Sequence, residues 1–535
     1  MTHKHLLHNK NPESLLHTTL TSNLQHFQAN HRPSRGLTLG SNLGYGLIKS
    51  FRIFLVCFAS ITWSYAECTL PKDLVRLHVN DKQLKDEDNR VVILHGLNEV
   101  NKRPPYKPSY IGFDDNNIEF IRKYGFNVIR LGFVWAAFEP SPGIYDSSYL
   151  DDFQKTVNAL AKQGIYTLID FHEDAYSTKH GGFGFPEWAA LSTTIDNKRF
   201  AFPLTLFFNK ATDEDFDNFW NNQKIQGKGL QEYYSNMVET VVSRFKTNPG
   251  VLGYDIMNEP FPGSLWRAYY VHKNALKIKG CFTFDTTQFA SFYQRLIGVI
   301  QHADPKALVF YEPNSIFGLG MPTNLPAFKN SNLVFGFHNY AHNLETVFKN
   351  AKTHVDKVNT LPFITEFGAD LMNGRQLSHF AALADKYKMS WIEWAYSNNP
   401  AYPISHLPMQ APPDSRKQGI VYDPSKPLMG ANVNWERLNA LTRAFPQSTA
   451  GELINFAYDA DSKQFTLSFY KRNHSKKPIS KNPCSIIYVP AFNYKNGFKL
   501  SVQGAKVTRQ VGNYLIIENT TDDDLEIVHI SITAK

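Results

Sequence analysis

A chain of 535 residues, 42% hydrophobic and 14% aromatic, is longer than one ordinary domain and carries ample material for a large core, so two folded domains are expected. The formal net charge is +8, yet Lys and Arg are interleaved with Asp and Glu rather than gathered into a basic block. That argues against nucleic-acid binding and for a solvated, mildly basic surface, with attraction to an anionic membrane as the remaining reading.

Residues 1–48 are polar, hold six of the 19 histidines at irregular spacing and show no sustained periodicity, which predicts a disordered leader. Lys49 and Arg52 then precede the apolar run "IFLVCFASITW" and Ser64-Tyr65-Ala66, the pattern of a secretory signal over 49–66 with cleavage after Ala66. The run is short of the ~20 residues a membrane span needs. Secretion places Cys68, Cys281 and Cys484 in an oxidising compartment, where three cysteines allow one bridge and one leftover thiol; the sequence does not choose the pair. Two glycosylation triplets, at Asn473 and Asn519, fit the same compartment.

Short β-branched and aromatic runs recur at 91–97, 127–133, 166–171, 251–257, 307–311, 333–338, 362–365 and 390–394, eight candidate strands. Between them lie helical patterns such as 115–125, 149–164 and 287–303, the first two ending at glycine. Nearly continuous apolar strands alternating with helices belong to a parallel sheet. Eight such units closing on themselves predict a TIM (β/α)8 barrel over 67–447, whose site gathers at the C-terminal ends of the strands. Beyond about residue 450 the pattern becomes short alternating runs, "QFTLSFY" and "LEIVHISIT" among them, which predicts a C-terminal all-β sandwich over 448–535. The Pro-rich stretch 408–419 looks like a linker, but 433–445 still reads as the last barrel helix.

The predicted strand ends turn polar together: Arg130 on strand two, His172, Glu173 and Asp174 on strand three, Asn258 and Glu259 on strand four, His338, Asn339 and Tyr340 on strand six, Glu366 on strand seven and Trp394 on strand eight. Two carboxylic acids on facing strands are the minimum equipment for cleaving a glycosidic bond, one protonating the departing oxygen while the other attacks or activates water. Glu259 and Glu366 are placed for that. The acid needs a raised pKa and the nucleophile needs cationic or hydrogen-bonding company, for which Arg130, Tyr340 and His338 are suited. Asn258 is suited to grip a sugar hydroxyl, while Glu139 and Glu173 are read as structural or supporting acids. His172 is read as a hydrogen-bonded structural histidine, since zinc wants further ligands at suitable spacing. No metal and no cofactor is expected.

"NVIRLGF", "IMNEP", "HNY" and "ITEFG" together resemble the glycoside hydrolase clan with catalytic glutamates after strands four and seven, and within it family 5, over residues 75–445. "LHGLNEVNKRPPY", "WAAFEPSPGIYD", "DFHEDAYS" and the trailing sandwich resemble the endoglycoceramidases of that family. The resemblance implies Glu259 as acid/base and Glu366 as nucleophile with retention of configuration. Lys102, His172, Asp174, Asn258, His338, Tyr340 and Trp394 would line the sugar site, with Arg130 counted among the binding residues. It also implies a glycosphingolipid substrate cut between oligosaccharide and ceramide, contact with a membrane surface, a monomer, and a secreted or lysosomal/digestive setting. The aromatic-rich excursion 175–250 is either a surface for acyl chains or a helical subdomain covering the barrel. Trp135, Tyr340 and Trp394 either stack on sugar faces or fill the top of the barrel. The alternatives are a β-glucosidase, glucosylceramidase or endoglucanase of the same fold, a catalytically dead lipid or carbohydrate carrier, and an adhesion protein built around the sandwich.

Overall fold

In the computed structural model, residues 68–195, 203–269, 279–397, 418–520 and 526–535 are described. The leader, the signal segment with Cys57, residues 196–202 of the aromatic excursion and 408–417 of the Pro-rich stretch lie outside them.

Eight strands close into a barrel: β1 His95–Glu99, β2 Val128–Phe133, β3 Tyr166–Phe171, β4 Val251–Asp255, β5 Leu308–Tyr311, β6 Leu333–Asn339, β7 Leu361–Phe367 and β8 Trp391–Glu393. Every neighbouring pair is parallel, and β8 pairs β1 through Trp391 and His95 to complete the ring. Side-chain alternation along each strand decides what faces inward. On β2, Ile129, Leu131 and Phe133 pack outward among the helices, whereas Val128 joins Leu168, Phe310, Val334 and Phe363 in an apolar plug inside the lower barrel. Leu77, Leu84, Val92 and Leu94 from the N-terminal segment extend that plug.

The helices covering the barrel are α1 Asp115–Lys123, α2 Ser147–Lys162, α3 Leu230–Phe245, α4 Gln288–Ala303, α5 Leu344–Val358, α6 Gly374–Lys386 and α7 Trp435–Leu441. Asp114 and Asp146 cap α1 and α2 by accepting from backbone N–H groups of the first turn, leaving Ile118, Ile121, Phe153 and Val157 to bury the inner faces. Strand β5 departs from the expected repeat, being followed by a single 3₁₀ turn, Ser315–Leu319, in place of a full helix. The β3–β4 excursion is mainly a packed subdomain: Phe183, Phe185, Phe216 and Phe219 are buried, Phe185 stacking on Tyr176, while Leu204 and Ile195 remain exposed.

The predicted first strand, 91–97, is two elements. His95–Glu99 enters the barrel, but Val91–Val92 pairs antiparallel with β9 Phe445–Thr449 in a seven-stranded sheet. That sheet takes His78–Asn80, Gln83–Lys85 and Val91–Val92 from the N-terminal side and β9, β12 Cys484–Tyr488, β14 Ala505–Val511 and β15 Tyr514–Asn519 from the C-terminal side. A four-stranded sheet of β10 Glu452–Asp459, β11 Gln464–Tyr470, β13 Phe498–Gln503 and β16 Ile527–Ala534 faces it across a shared core in which Phe445, Ile487 and Ile517 meet Phe456, Phe465, Leu467 and Ile530. The sandwich therefore begins at β9 and includes a part of the chain that precedes the barrel.

Candidate active site

Arg130, midway along β2, points into the barrel directly above the apolar plug and has no solvent exposure. Its guanidinium reaches Glu366 (2.7 Å), Asp255 (2.9 Å), Asn258 (2.9 Å), Asp170 (3.0 Å) and Asn98 (3.1 Å). All of its reach is taken up by protein partners, so it acts on the mouth through the groups it holds. Burial alone would weaken the Arg130 charge, but Asp170, Asp255, Glu312 and Glu366 hold it firmly protonated.

Glu366 closes β7 with both oxygens engaged, one by Arg130 and the other by the Tyr340 hydroxyl at 2.9 Å. Burial raises its carboxyl, opposed by the positive charges of His338 and Arg130, and the net direction is upward. Burial and the Glu366 charge push the Tyr340 hydroxyl well above its ordinary range, so it remains a donor.

Glu259 follows β4 and is the most exposed of the central acids, its side chain 18% accessible. Its backbone φ is +41°, in the left-handed region where a non-glycine residue costs about 1–3 kcal/mol. His338 on β6 faces it at 2.8 Å from Nδ1, with Glu366 3.4 Å from the same nitrogen. One oxygen of each glutamate and a ring nitrogen of His338 thus lie within 4.8 Å of one another. The same spacing would suit a metal ion. Burial would strip the His338 proton, and Glu312 and Glu366 outweigh that and hold the ring protonated.

Asn258 accepts from Arg130 and donates one amide hydrogen to the Glu173 carbonyl, leaving the second for a ligand. On the β3 side, His172 contacts Asp170 at 2.6 Å through Nδ1 and lies 3.6 Å from Asp174 through Nε2. Lys102 forms an ion pair with Asp174 and sits 4.3 Å above the Trp394 ring, which stacks on His172. All ten residues singled out from the sequence therefore meet at one end of the barrel. Glu139 is tied to Trp135 Nε1 and Gly143, and burial raises the Glu173 carboxyl well above the ordinary range, which leaves it protonated and unsuited to attack. Trp135 packs edge-on against Phe185, Trp188 and Tyr234 and is buried in the core.

The sequence reading passed over Asp170, Asp255 and Glu312. Glu312, directly after β5, accepts from the Glu259 backbone N–H (3.1 Å) and the Thr365 hydroxyl (2.9 Å), and its Oε1 lies 2.9 Å from His338 Nε2. It was legible by the rule that found the others, since "ALVFYEPN" also turns polar at its strand end.

Residues 86–400 match the family model for cellulase, glycosyl hydrolase family 5. The chain belongs to glycosyl hydrolase family 5. Residues 443–532 of this family 5 hydrolase match the family's C-terminal domain. It is 27% identical over 470 residues to endoglycoceramidase I of Rhodococcus hoagii, covering 83% of this chain and 85% of that one. It is likewise 27% identical over 488 residues to the endoglycoceramidase of Cyanea nozakii, covering 84% and 91%. Among solved structures it resembles endo-glycoceramidase II from Rhodococcus sp. in its ganglioside GM3 complex, with a TM-score of 0.66 and 22% identity over 85% of this chain and 99% of the other. As a family 5 member the protein is a glycosidase.

Proposed function

We propose that this hydrolase is a retaining endoglycosidase that cuts the β-glycosidic bond between the oligosaccharide and the ceramide of glycosphingolipids. The observation that carries the chemistry is that one carboxyl oxygen of Glu259 and one of Glu366 lie within 4.8 Å of each other. Retaining enzymes place their carboxyl groups about 5–5.5 Å apart, whereas inverting ones leave about 6.5–9.5 Å for a water. Glu366 attacks the anomeric carbon as Glu259 protonates the ceramide oxygen. Water activated by Glu259 then releases the glycan. Arg130 and Tyr340 orient Glu366, the free amide hydrogen of Asn258 meets the hydroxyl beside the reacting carbon, and Trp394, Lys102, His172 and Asp174 receive the sugar. Neither step calls for a cofactor.

The substrate class is supported by end-to-end likeness to endoglycoceramidases, barrel and sandwich together. Exposed apolar side chains add to it: Tyr110, Ile144, Ile195, Leu319, Leu371 and Met429 stand on the segments after six different barrel strands, ringing the mouth. A groove of about 870 Å³ opens beside Tyr340, with Leu344, Leu371 and Met372 in its wall. We read the ring as a membrane-facing rim that lets a monomer lift glycolipid headgroups from a bilayer. No helix among the described residues is long and apolar enough to cross one. A Cys68–Cys484 disulfide accords with a secreted or lysosomal setting.

Ganglioside in phosphatidylcholine vesicles, analysed by mass spectrometry after incubation, should yield ceramide and one intact oligosaccharide. Release of single terminal sugars alone would overturn the endo reading. Turnover in detergent without sedimentation on the vesicles would overturn the membrane rim.

A further inference from the structure

Glu312 is buried, belongs to neither partner of the acid pair, and touches the machinery on every side. Its Oε2 accepts from the backbone N–H of Glu259, the residue whose φ of +41° turns that N–H down toward β5. Its Oε1 lies against His338 Nε2 at 2.9 Å and Thr365 Oγ1 at 2.9 Å, with Arg130 Nη2 at 3.4 Å. The Glu312 backbone is pinned in turn, its N–H donating to the Tyr293 hydroxyl and its carbonyl accepting from it. The opposite edge of the His338 ring faces Glu259 and Glu366. Carboxylate, imidazole and carboxylate pair thus form one line across the barrel from β5 to β7.

We propose that Glu312 is a positioning residue that fixes the charge and orientation of His338 and the backbone of Glu259, so that Glu366 meets a permanent cation at the working pH. The inference rests on the assignment of Glu366 as nucleophile. The groups facing His338 are Glu259 after β4, Glu312 after β5 and Glu366 on β7, with Tyr340 edge-on and Arg130 from β2 behind Glu312. With three acids around one ring, the imidazolium is the favoured form, and its charge favours ionised Glu366. The hydrogen bonds and charges on Glu312 overcome its burial and hold its own carboxyl down to about 2. It therefore stays ionised wherever the enzyme works.

Glu312→Gln keeps the shape and removes the charge. Without that anion His338 releases its proton, one of the two positive charges beside Glu366 disappears while Arg130 remains, and the nucleophile ionises at higher pH. The acid limb of kcat/KM should move up by about one unit, a tenfold loss at the foot of the profile. Glu312→Asp, which retains the charge, should restore the limb. An acid limb that stays put or moves down in Glu312→Gln, as deletion of an anion alone would give, overturns the proposal. A direct readout needs no turnover: in ¹⁵N-histidine spectra of the wild-type protein His338 should remain protonated from about pH 5 to 8, well past the ordinary histidine value near 6.5. Titration near 6.5 would refute the role of Glu312 even if the enzyme proves fully active. A protonated His338 in a protein that cleaves no glycoside would instead refute the nucleophile assignment.

Discussion

Glu366 has one oxygen on a guanidinium and the other on a phenol, so the carboxylate proposed as nucleophile is aimed by two fixed donors. Replacement by glutamine preserves size and most hydrogen bonding but removes the anion. Glu366→Gln should lower kcat by at least about 10³-fold while the thermal midpoint changes little, because Arg130 keeps Asp170 and Glu312 as counter-charges. Measuring turnover and melting on the same preparation checks both halves, and near-normal turnover would sink the nucleophile assignment. At this scale the pair proposed as acid/base and nucleophile was legible because each glutamate interrupts an apolar run where a barrel strand meets its loop. Asp255 was not. It lies two positions before Met257, within the run itself, where an isolated acid resembles a packing exception. Only the structure shows Asp255 at 2.9 Å from Arg130, with burial and Glu312 pushing its carboxyl well above the usual range. Arg130 was found for a related reason: the sequence puts a cation near Glu366, and alternation along β2 turns it inward to reach that acid.

The elements followed the periodicity where burial enforces it and departed where partners distant in the chain decide. Helices expected at 115–125 and 149–164 form with their aspartate caps, and each stops at a glycine, Gly125 and Gly164, with positive φ. The run at 91–97 is apolar apart from His95 and Gly96, and a single histidine and glycine do not declare that the backbone leaves the sandwich and enters the barrel there. Val91 and Val92 belong to the sandwich because Phe445–Thr449 lies beside them. Gly125 shows how closely the two domains are fitted. It has φ +87°, and a Cβ there would stand 2.3 Å from the Tyr488 ring of β12, whose hydroxyl donates to the Lys123 carbonyl at the end of α1. Gly125→Ala meets both penalties, an unfavourable backbone region and a ring held by its own hydrogen bond. A loss of about 1–3 kcal/mol in urea unfolding is expected, with kcat at 25 °C unchanged because the contact lies far from the mouth. Unaltered stability would mean that the ring is free to move aside.

Across the whole molecule, the interleaving of chain ends is what sequence reading could least supply. Composition marks a change of pattern near residue 450, and the all-β character of the C-terminal segment was plain. The strands at 78–92 are too short and too near the barrel run to declare a different sheet. The same interleaving answers which cysteines pair. Cys68 enters just ahead of those strands and joins Cys484 at the start of β12, with the Cα atoms 5.7 Å apart and 416 residues between them. The bridge is buried with Ile516, so it ties the segment leading into the barrel to the domain at the other end of the chain. Cross-linking so large a loop restricts the unfolded chain strongly, and removing a native bridge of this kind costs on the order of 2–5 kcal/mol. Replacing Cys68 and Cys484 together by serine should therefore lower the melting temperature by several degrees and abolish its dependence on reductant. The wild-type protein, unfolded and refolded under reducing conditions, should melt where the double variant does. The site itself lies on the barrel strands, which the bridge does not span, so initial rates on a soluble aryl glycoside at 25 °C should match. Equal melting of the variant and the oxidised wild type would show that strand pairing alone secures the N-terminal segment, with the bridge contributing nothing to the folded state.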